Sequence, residues 1–184
     1  MKATGTEFGT EYSLTANGNK EDFIIYVTGA PLVVGDYVRF IQDDTDLVND
    51  SWSERRTGQV SRVAAVTSTS VTLDSPLRMD FPLTRSPRIR KVNPKKNIGV
   101  ECLTINRIDQ VSDYDSRNNF SKIKLRFTVN SWVKGVESNN CNYAHFEALY
   151  SANLLMSGCY LHDAFEYGAG GRAYGAILHF ATSE

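Results

Sequence analysis

The sequence predicts an all-β protein: a solenoid of short parallel strands in its second half, preceded by a small antiparallel β-barrel or sandwich. Two observations carry this. A motif of alternating apolar residues cornered by Asn, Gly or Ser recurs, as Asn97-Ile98-Gly99-Val100-Glu101-Cys102-Leu103-Thr104-Ile105, as Ser131-Trp132-Val133-Lys134-Gly135-Val136-Glu137-Ser138, and as Ser151-Ala152-Asn153-Leu154-Leu155-Met156-Ser157-Gly158. Uninterrupted copies lie about twenty residues apart, a spacing at which each turn of chain buries its face only against the next. Before these copies, short runs rich in β-branched and aromatic residues alternate with turn residues, and no helical apolar stripe appears.

In chain order, residues 1–21 are polar and glycine-dotted and read as a lead-in loop or strand. Residues 22–84 form the small antiparallel domain. Its strands are Phe23-Ile24-Ile25-Tyr26-Val27, broken by Thr28-Gly29-Ala30-Pro31, then Tyr37-Val38-Arg39-Phe40-Ile41, Gly58-Gln59-Val60-Ser61-Arg62-Val63-Ala64-Ala65-Val66 and Val71-Thr72-Leu73. Even spacing of short strands suggests closure that hides free edges. Residues 85–96 form a Pro-punctuated basic connector, read as an extended linker with solvated charges or, through Arg88, Arg90 and Lys96, as a cationic rail for an acidic polymer. Residues 97–184 are the solenoid coils. Polar excursions interrupt them at residues 109–121 and 163–174, where a solenoid tends to carry function. The closing Leu178-His179-Phe180-Ala181-Thr182-Ser183-Glu184 echoes Phe146-Glu147-Ala148-Leu149-Tyr150-Ser151-Ala152. The coils are therefore expected to continue in a longer chain or, failing that, to self-associate through the open C-terminal coil.

Bulk properties exclude several classes. A formal net charge of −1 over 184 residues speaks against a nucleic-acid partner, which needs a strongly basic face. No run of eighteen apolar residues occurs, so no helical membrane span is expected. The opening Met1-Lys2-Ala3-Thr4-Gly5 has no apolar stretch of the secretory-signal type. Cys102, Cys141 and Cys159 each sit in a copy among apolar or small residues and read as buried small hydrophobes; a disulfide would leave one over, and no Cys/His spacing suits a metal.

Taken together, Asn97-Ile98-Gly99-Val100-Glu101, Trp132-Val133-Lys134-Gly135-Val136-Glu137-Ser138 and Asn153-Leu154-Leu155-Met156-Ser157-Gly158 resemble the coil motif of right-handed parallel β-helix proteins of the pectate-lyase-like superfamily. Val34-Gly35-Asp36-Tyr37-Val38 and Thr72-Leu73-Asp74-Ser75-Pro76-Leu77 resemble the small β-domain that some bacterial members carry. The resemblance implies a partial right-handed parallel β-helix working outside the cell on polysaccharide, as a polysaccharide lyase, a glycoside hydrolase or a binding module. The alternative it also implies is a non-catalytic structural or adhesive solenoid, as in other members, including phage tailspikes. Whether the chain is an enzyme stays open. No cofactor is expected; calcium enters only through the resemblance, with no acidic cluster to support it.

The richest chemistry surrounds the second excursion. Asp163 and Glu166 are candidates for the paired carboxylates of glycosidic cleavage. Alternatively His162 or Tyr167 abstracts the C5 proton of a uronate while Arg172 neutralises its carboxylate. The plain reading of the same residues is a local His162–Asp163 turn and an exposed Glu166–Arg172 ion pair. Tyr167, Tyr174, His179 (expected to return beside His162 on the following turn) and Lys134 are candidate substrate-binding residues, although Lys134 and Glu137 also suit a surface ion pair. Trp132, Tyr143, Tyr150 and Tyr160 offer flat faces for sugar stacking, or else fill core. Asn97 and Asn153 read as corner residues that form a ladder between coils.

Overall fold

A computed structural model of the chain describes residues 1–108, 121–165, 174–179 and 182. The first strands are β1 (Lys2–Thr4), β2 (Thr6–Ser13), β3 (Ile24–Tyr26), β4 (Tyr37–Ile41), β5 (Val60–Val66), β6 (Ser70–Leu73) and β7 (Arg88–Asn93). All but β1 form one antiparallel sheet in the order β2-β7-β4-β5-β6-β3. A bridge between Leu14 and Val27 joins its outer strands, so the sheet curls into a small barrel. Val38, Phe40, Val63, Leu73, Phe81 and Ile89 fill it, with the Phe40 and Phe81 rings 5.0 Å apart. Every residue of β4 is buried, because one face looks into the barrel and Tyr37 on the other packs against the solenoid.

The later strands are β8 (Lys95–Lys96), β9 (Gly99–Glu101), β10 (Thr104–Asn106), β11 (Ile123–Arg126), β12 (Thr128–Lys134), β13 (Glu137–Cys141), β14 (Ala144–Leu149), β15 (Ala152–Ser157), β16 (Tyr160–Ala164) and β17 (Tyr174–His179). They pair in parallel and build three sheets: β1-β11-β14-β17, then β12 between β15 and the β8/β9 pair, then β10-β13-β16. Each coil gives one strand to each sheet, which is a partial right-handed parallel β-helix. Ile123, Leu125, Val133, Val136, Phe146 and Ala148 line its shared interior.

From the second coil to the third the repeat is 23 residues, as the Thr128–Ser151 and Asn130–Asn153 contacts show; the flanking steps are longer, Thr104 pairing with Glu137 and Ala144 with Tyr174. The shorter spacing read from Ser131 and Ser151 is corrected by the register, which sets Ser131 opposite Leu154. Ser followed by apolar residues occurs at two different places within one coil, and the sequence match joined them.

The domain boundaries also change. β1 belongs to the first solenoid sheet, paired with β11, while β2 and β7 are barrel strands. The barrel is therefore inserted within the first coil, between β1 and β8. Residues 1–21 are not merely a lead-in, and residues 85–96 are not a linker. Ile89 and Val92 are buried beneath basic neighbours whose charges are met across the barrel wall, Arg88 by Asp43 and Lys91 by Asp36 at 2.6 Å each. Those charges hid the strand alternation in the sequence.

Left-handed backbone marks equivalent corners of successive coils: Phe127 and Tyr150; Asn97, Asn130 and Asn153; Cys102, Gly135 and Gly158; Asn140 and Asp163. Asn tolerates this region because its side chain bonds locally, and here Asn153 Nδ2 donates to Asn130 Oδ1 at 3.1 Å. The expected ladder is thus present between Asn130 and Asn153, and Asn97 shares their left-handed corner, its backbone N–H donating to the Val129 carbonyl. The stacked Phe127 and Tyr150 rings, 4.8 Å apart, join Tyr37, Val60 and Val92 in the apolar contact that docks barrel on helix.

All three cysteines are free; Cys141 is buried, Cys159 half-buried and Cys102 exposed. Cys102 departs from the expected buried role because it occupies, at φ 50°, a corner that glycine fills at φ 60° in the next two coils. An L-residue there costs roughly 1–2 kcal/mol, against about 0.5–1 kcal/mol of chain entropy for glycine. Cys102→Gly is therefore expected to raise stability by about 0.5 kcal/mol in urea unfolding; a lower midpoint would show that the thiol makes a contact worth more than the strain.

Candidate functional site

Strand alternation places two rows of side chains on the outer face of β10-β13-β16. Thr104, Glu137 and Tyr160 form one row, and Asn106, Asn139 and His162 the other. Between them Ser138 is fully buried. Tyr160 is 64% exposed, and its ring stacks on the His162 imidazole with centroids 4.3 Å apart and planes 19° from parallel. His162 Nδ1 lies 3.0 Å from Asp163 Oδ2 and Nε2 lies 3.1 Å from Glu137 Oε1. The other Glu137 oxygen accepts from Thr104 Oγ1 at 3.1 Å. Asp163 reaches its own neighbour because its backbone is left-handed, φ 58°.

A carboxylate faces each ring nitrogen of His162, so both hydrogen bonds are made together only when the ring is protonated. The hydrogen bond to Asp163, foremost, and that to Glu137 raise its pKa above the ordinary 6.5, outweighing the desolvation that opposes them. With both ring nitrogens engaged by carboxylates, His162 turns no free nitrogen toward a C5 proton. A histidine with a raised folded pKa contributes most while protonated in both states. The clamp is thus fully present below pH 6.5 and lost as pH climbs through the raised value. We expect the His162 ring resonances, followed by NMR, to titrate above 6.5 and Asp163→Asn to bring the midpoint down; a midpoint below 6.5 would contradict the clamp.

Of the other candidates, Glu166, Tyr167 and Arg172 lie outside the described residues. Lys134 is exposed on the second sheet, opposite Glu101 and Ser157, while Glu137 is held by Thr104 and His162. His179 does not return beside His162. It lies on β17 of the first sheet, because the two are separated by less than one coil and fall on different walls. Tyr174 meets Tyr143 edge-on, centroids 5.6 Å apart, at the corner leading into the first sheet. Among the four proposed stacking aromatics, Tyr150 is buried. Trp132 lies over Gly99, where an added Cβ would sit 2.6 Å from the indole, and donates to Glu101. Tyr160 presents the open face.

Two groups escaped the sequence reading. Glu147 on β14 is 3% exposed yet charged. Burial pushes its pKa up, but hydrogen bonds from His179, Ser121 and Lys124 outweigh that and hold it down at about 2. Since Lys124 is on β11 and His179 on β17, this carboxylate rivets three successive coils. His145, two residues before it, is kept neutral by burial, which lowers its pKa; its Nδ1 lies 2.8 Å from Ser138 Oγ and its Nε2 3.1 Å from the Asp163 carbonyl oxygen. Neutral His145 thus donates to that carbonyl and accepts from Ser138, bracing the corner that carries Asp163. Glu147 was legible only as a lone acid in the apolar run Ala144-His145-Phe146-Glu147-Ala148-Leu149.

No protein-family model and no curated protein matches the chain. Solved structures resemble it, among them three phage tailspikes. The gp54 tailspike of Acinetobacter baumannii bacteriophage AP22, in complex with A. baumannii capsular saccharide, aligns with a TM-score of 0.51 and 13% identity over 88% of this chain and 34% of its own. The tailspike gp61 of Pseudomonas phage phi297 gives 0.60 and 13% over 85% and 27%. The tailspike gp49 of Pseudomonas phage LKA1 gives 0.55 and 16% over 95% and 27%. The chain spans about a third or less of each. Likeness at this identity is likeness of fold, and the fold that this chain shares with phage tailspikes is the parallel β-helix.

Proposed function

We propose that this chain is a saccharide-binding β-helix module that recognises an extracellular polysaccharide, such as a bacterial capsule, through the outer face of β10-β13-β16. The observation that carries the reading is the exposed Tyr160 ring, stacked on an imidazole that two carboxylates fix. A flat apolar face rimmed by Glu137, Asp163 and the Asn106–Asn139 row suits a sugar, which offers C–H faces for stacking and hydroxyls for hydrogen bonds. The capsular saccharide bound by the AP22 tailspike supports the same ligand class. Binding is favoured over elimination or hydrolysis because the two ring nitrogens of His162 occupy both carboxylates.

Tyr160→Ala is expected to weaken binding on an array of bacterial surface glycans about tenfold, or ~1.4 kcal/mol, with the far-ultraviolet dichroism unchanged because the ring is exposed. Undiminished binding by the variant would remove the face from the account.

A further inference from the structure

A second site lies where barrel meets helix. A cleft of about 280 Å³ opens there, lined by Arg39, Arg55, Arg56, Arg90 and Arg126 beside Tyr150. Only Glu7, Glu11 and Glu54 line it with negative charge, so the cleft carries two excess positive charges in a chain whose net charge is −1.

The arginines are built into place. Asp44, fully buried, accepts from the backbone N–H groups of Arg55, Arg56 (3.0 Å) and Thr57 (2.8 Å) and from Thr57 Oγ1 (2.6 Å), which ties down the loop presenting Arg55 and Arg56. Arg39 is 8% exposed; it donates to Glu7 and to the Arg55 carbonyl, and its guanidinium lies 4.3 Å from the Tyr150 ring centroid. The Nε groups of Arg39 and Arg90 are buried with no acceptor among the described residues. Such buried donors are costly unless an acceptor meets them. Arg126 is exposed and touches the Phe127 and Tyr150 rings.

We propose that this cleft binds the carboxylate of an acidic sugar. Guanidinium forks suit a planar carboxylate bidentately, and the Tyr150 hydroxyl, already bonded to Arg56, adds a polar contact beside the ring. The volume is small for a ligand pocket (such pockets run from about 300 to 1,000 Å³), which fits one sugar residue rather than a length of polymer. That the anion is a sugar rests on the saccharide binding proposed above; that the cleft takes an anion does not.

The test is calorimetric titration of the whole chain at low salt, where screening is weak, with glucuronate, glucose, acetate and sulfate. Glucuronate should bind saturably and at least tenfold more tightly than the other three. Arg126→Gln should weaken it about tenfold without unfolding, and Tyr160→Ala should leave it unchanged, whatever either variant does on the glycan array. Failure of glucuronate to saturate, equal affinity in Arg126→Gln, or equal binding of acetate or sulfate would overturn the proposal.

Discussion

Glu147→Gln is expected to destabilise the protein by about 3 kcal/mol at pH 7. The carboxylate pKa moves from 4.5 to about 2 on folding, and each unit is worth about 1.4 kcal/mol. An independent route gives a similar figure, since removing one partner of a buried ion pair costs roughly 3–5 kcal/mol. A glutamine keeps the shape but leaves the Lys124 ammonium, 3.0 Å away, without its counter-charge, and replaces the carboxylate that His179 Nε2 meets with a neutral amide. A carboxyl with a depressed folded pKa stabilises above its unfolded value and loses that contribution as pH falls through the folded one. The gap between wild type and variant in urea unfolding should therefore be widest above pH 4.5 and narrow as pH falls toward 2. A gap that stays constant over that range would mean Glu147 acts by packing alone.

Gly5→Val is expected to cost about 3 kcal/mol, the upper part of the range for overpacking. A Cβ at Gly5 would lie 2.5 Å from the Phe127 carbonyl oxygen, 2.6 Å from that of Asn93 and 2.9 Å from Pro94 Cα. All three are backbone, so no side-chain rotation relieves them. Gly5 is where the chain leaves β1 and enters the barrel, and its N–H donates to the Arg126 carbonyl at 2.9 Å. The variant should detach β1 from β11 and expose the first coil. Hydrogen exchange ought to show lost protection in residues 2–4 and 123–126 while the barrel strands β4 and β5 keep theirs. Unchanged protection at the β1–β11 pair would refute the split first coil.

The fold was legible in its broad form because parallel strands buried between coils require recurrent apolar residues, and corners require Asn or Gly. Asn97 and Asn153 announced themselves by that chemistry. The insertion of the barrel within a coil was not legible, since Lys2-Ala3-Thr4 carries little apolar signal and gains its place through backbone pairing with Lys124, Leu125 and Arg126. Arg88 and Arg90 read as linker residues because pairing across the barrel, to Asp43 and Glu7, leaves no local trace in sequence. At the site, His162 and Asp163 were adjacent and so were found together. Glu137 was missed as the second carboxylate because it stands a coil away, and the misread coil length set the wrong residues opposite one another. His179 was misplaced for the same reason.

The most direct test of saccharide recognition by the third sheet is surface plasmon resonance against immobilised bacterial capsular polysaccharides. The account predicts saturable binding to at least one of them, weakened about tenfold by Tyr160→Ala, with the surface's capacity unchanged over repeated cycles. No saturable response on any surface, or a capacity that falls with each cycle as the glycan is cut away, would contradict it.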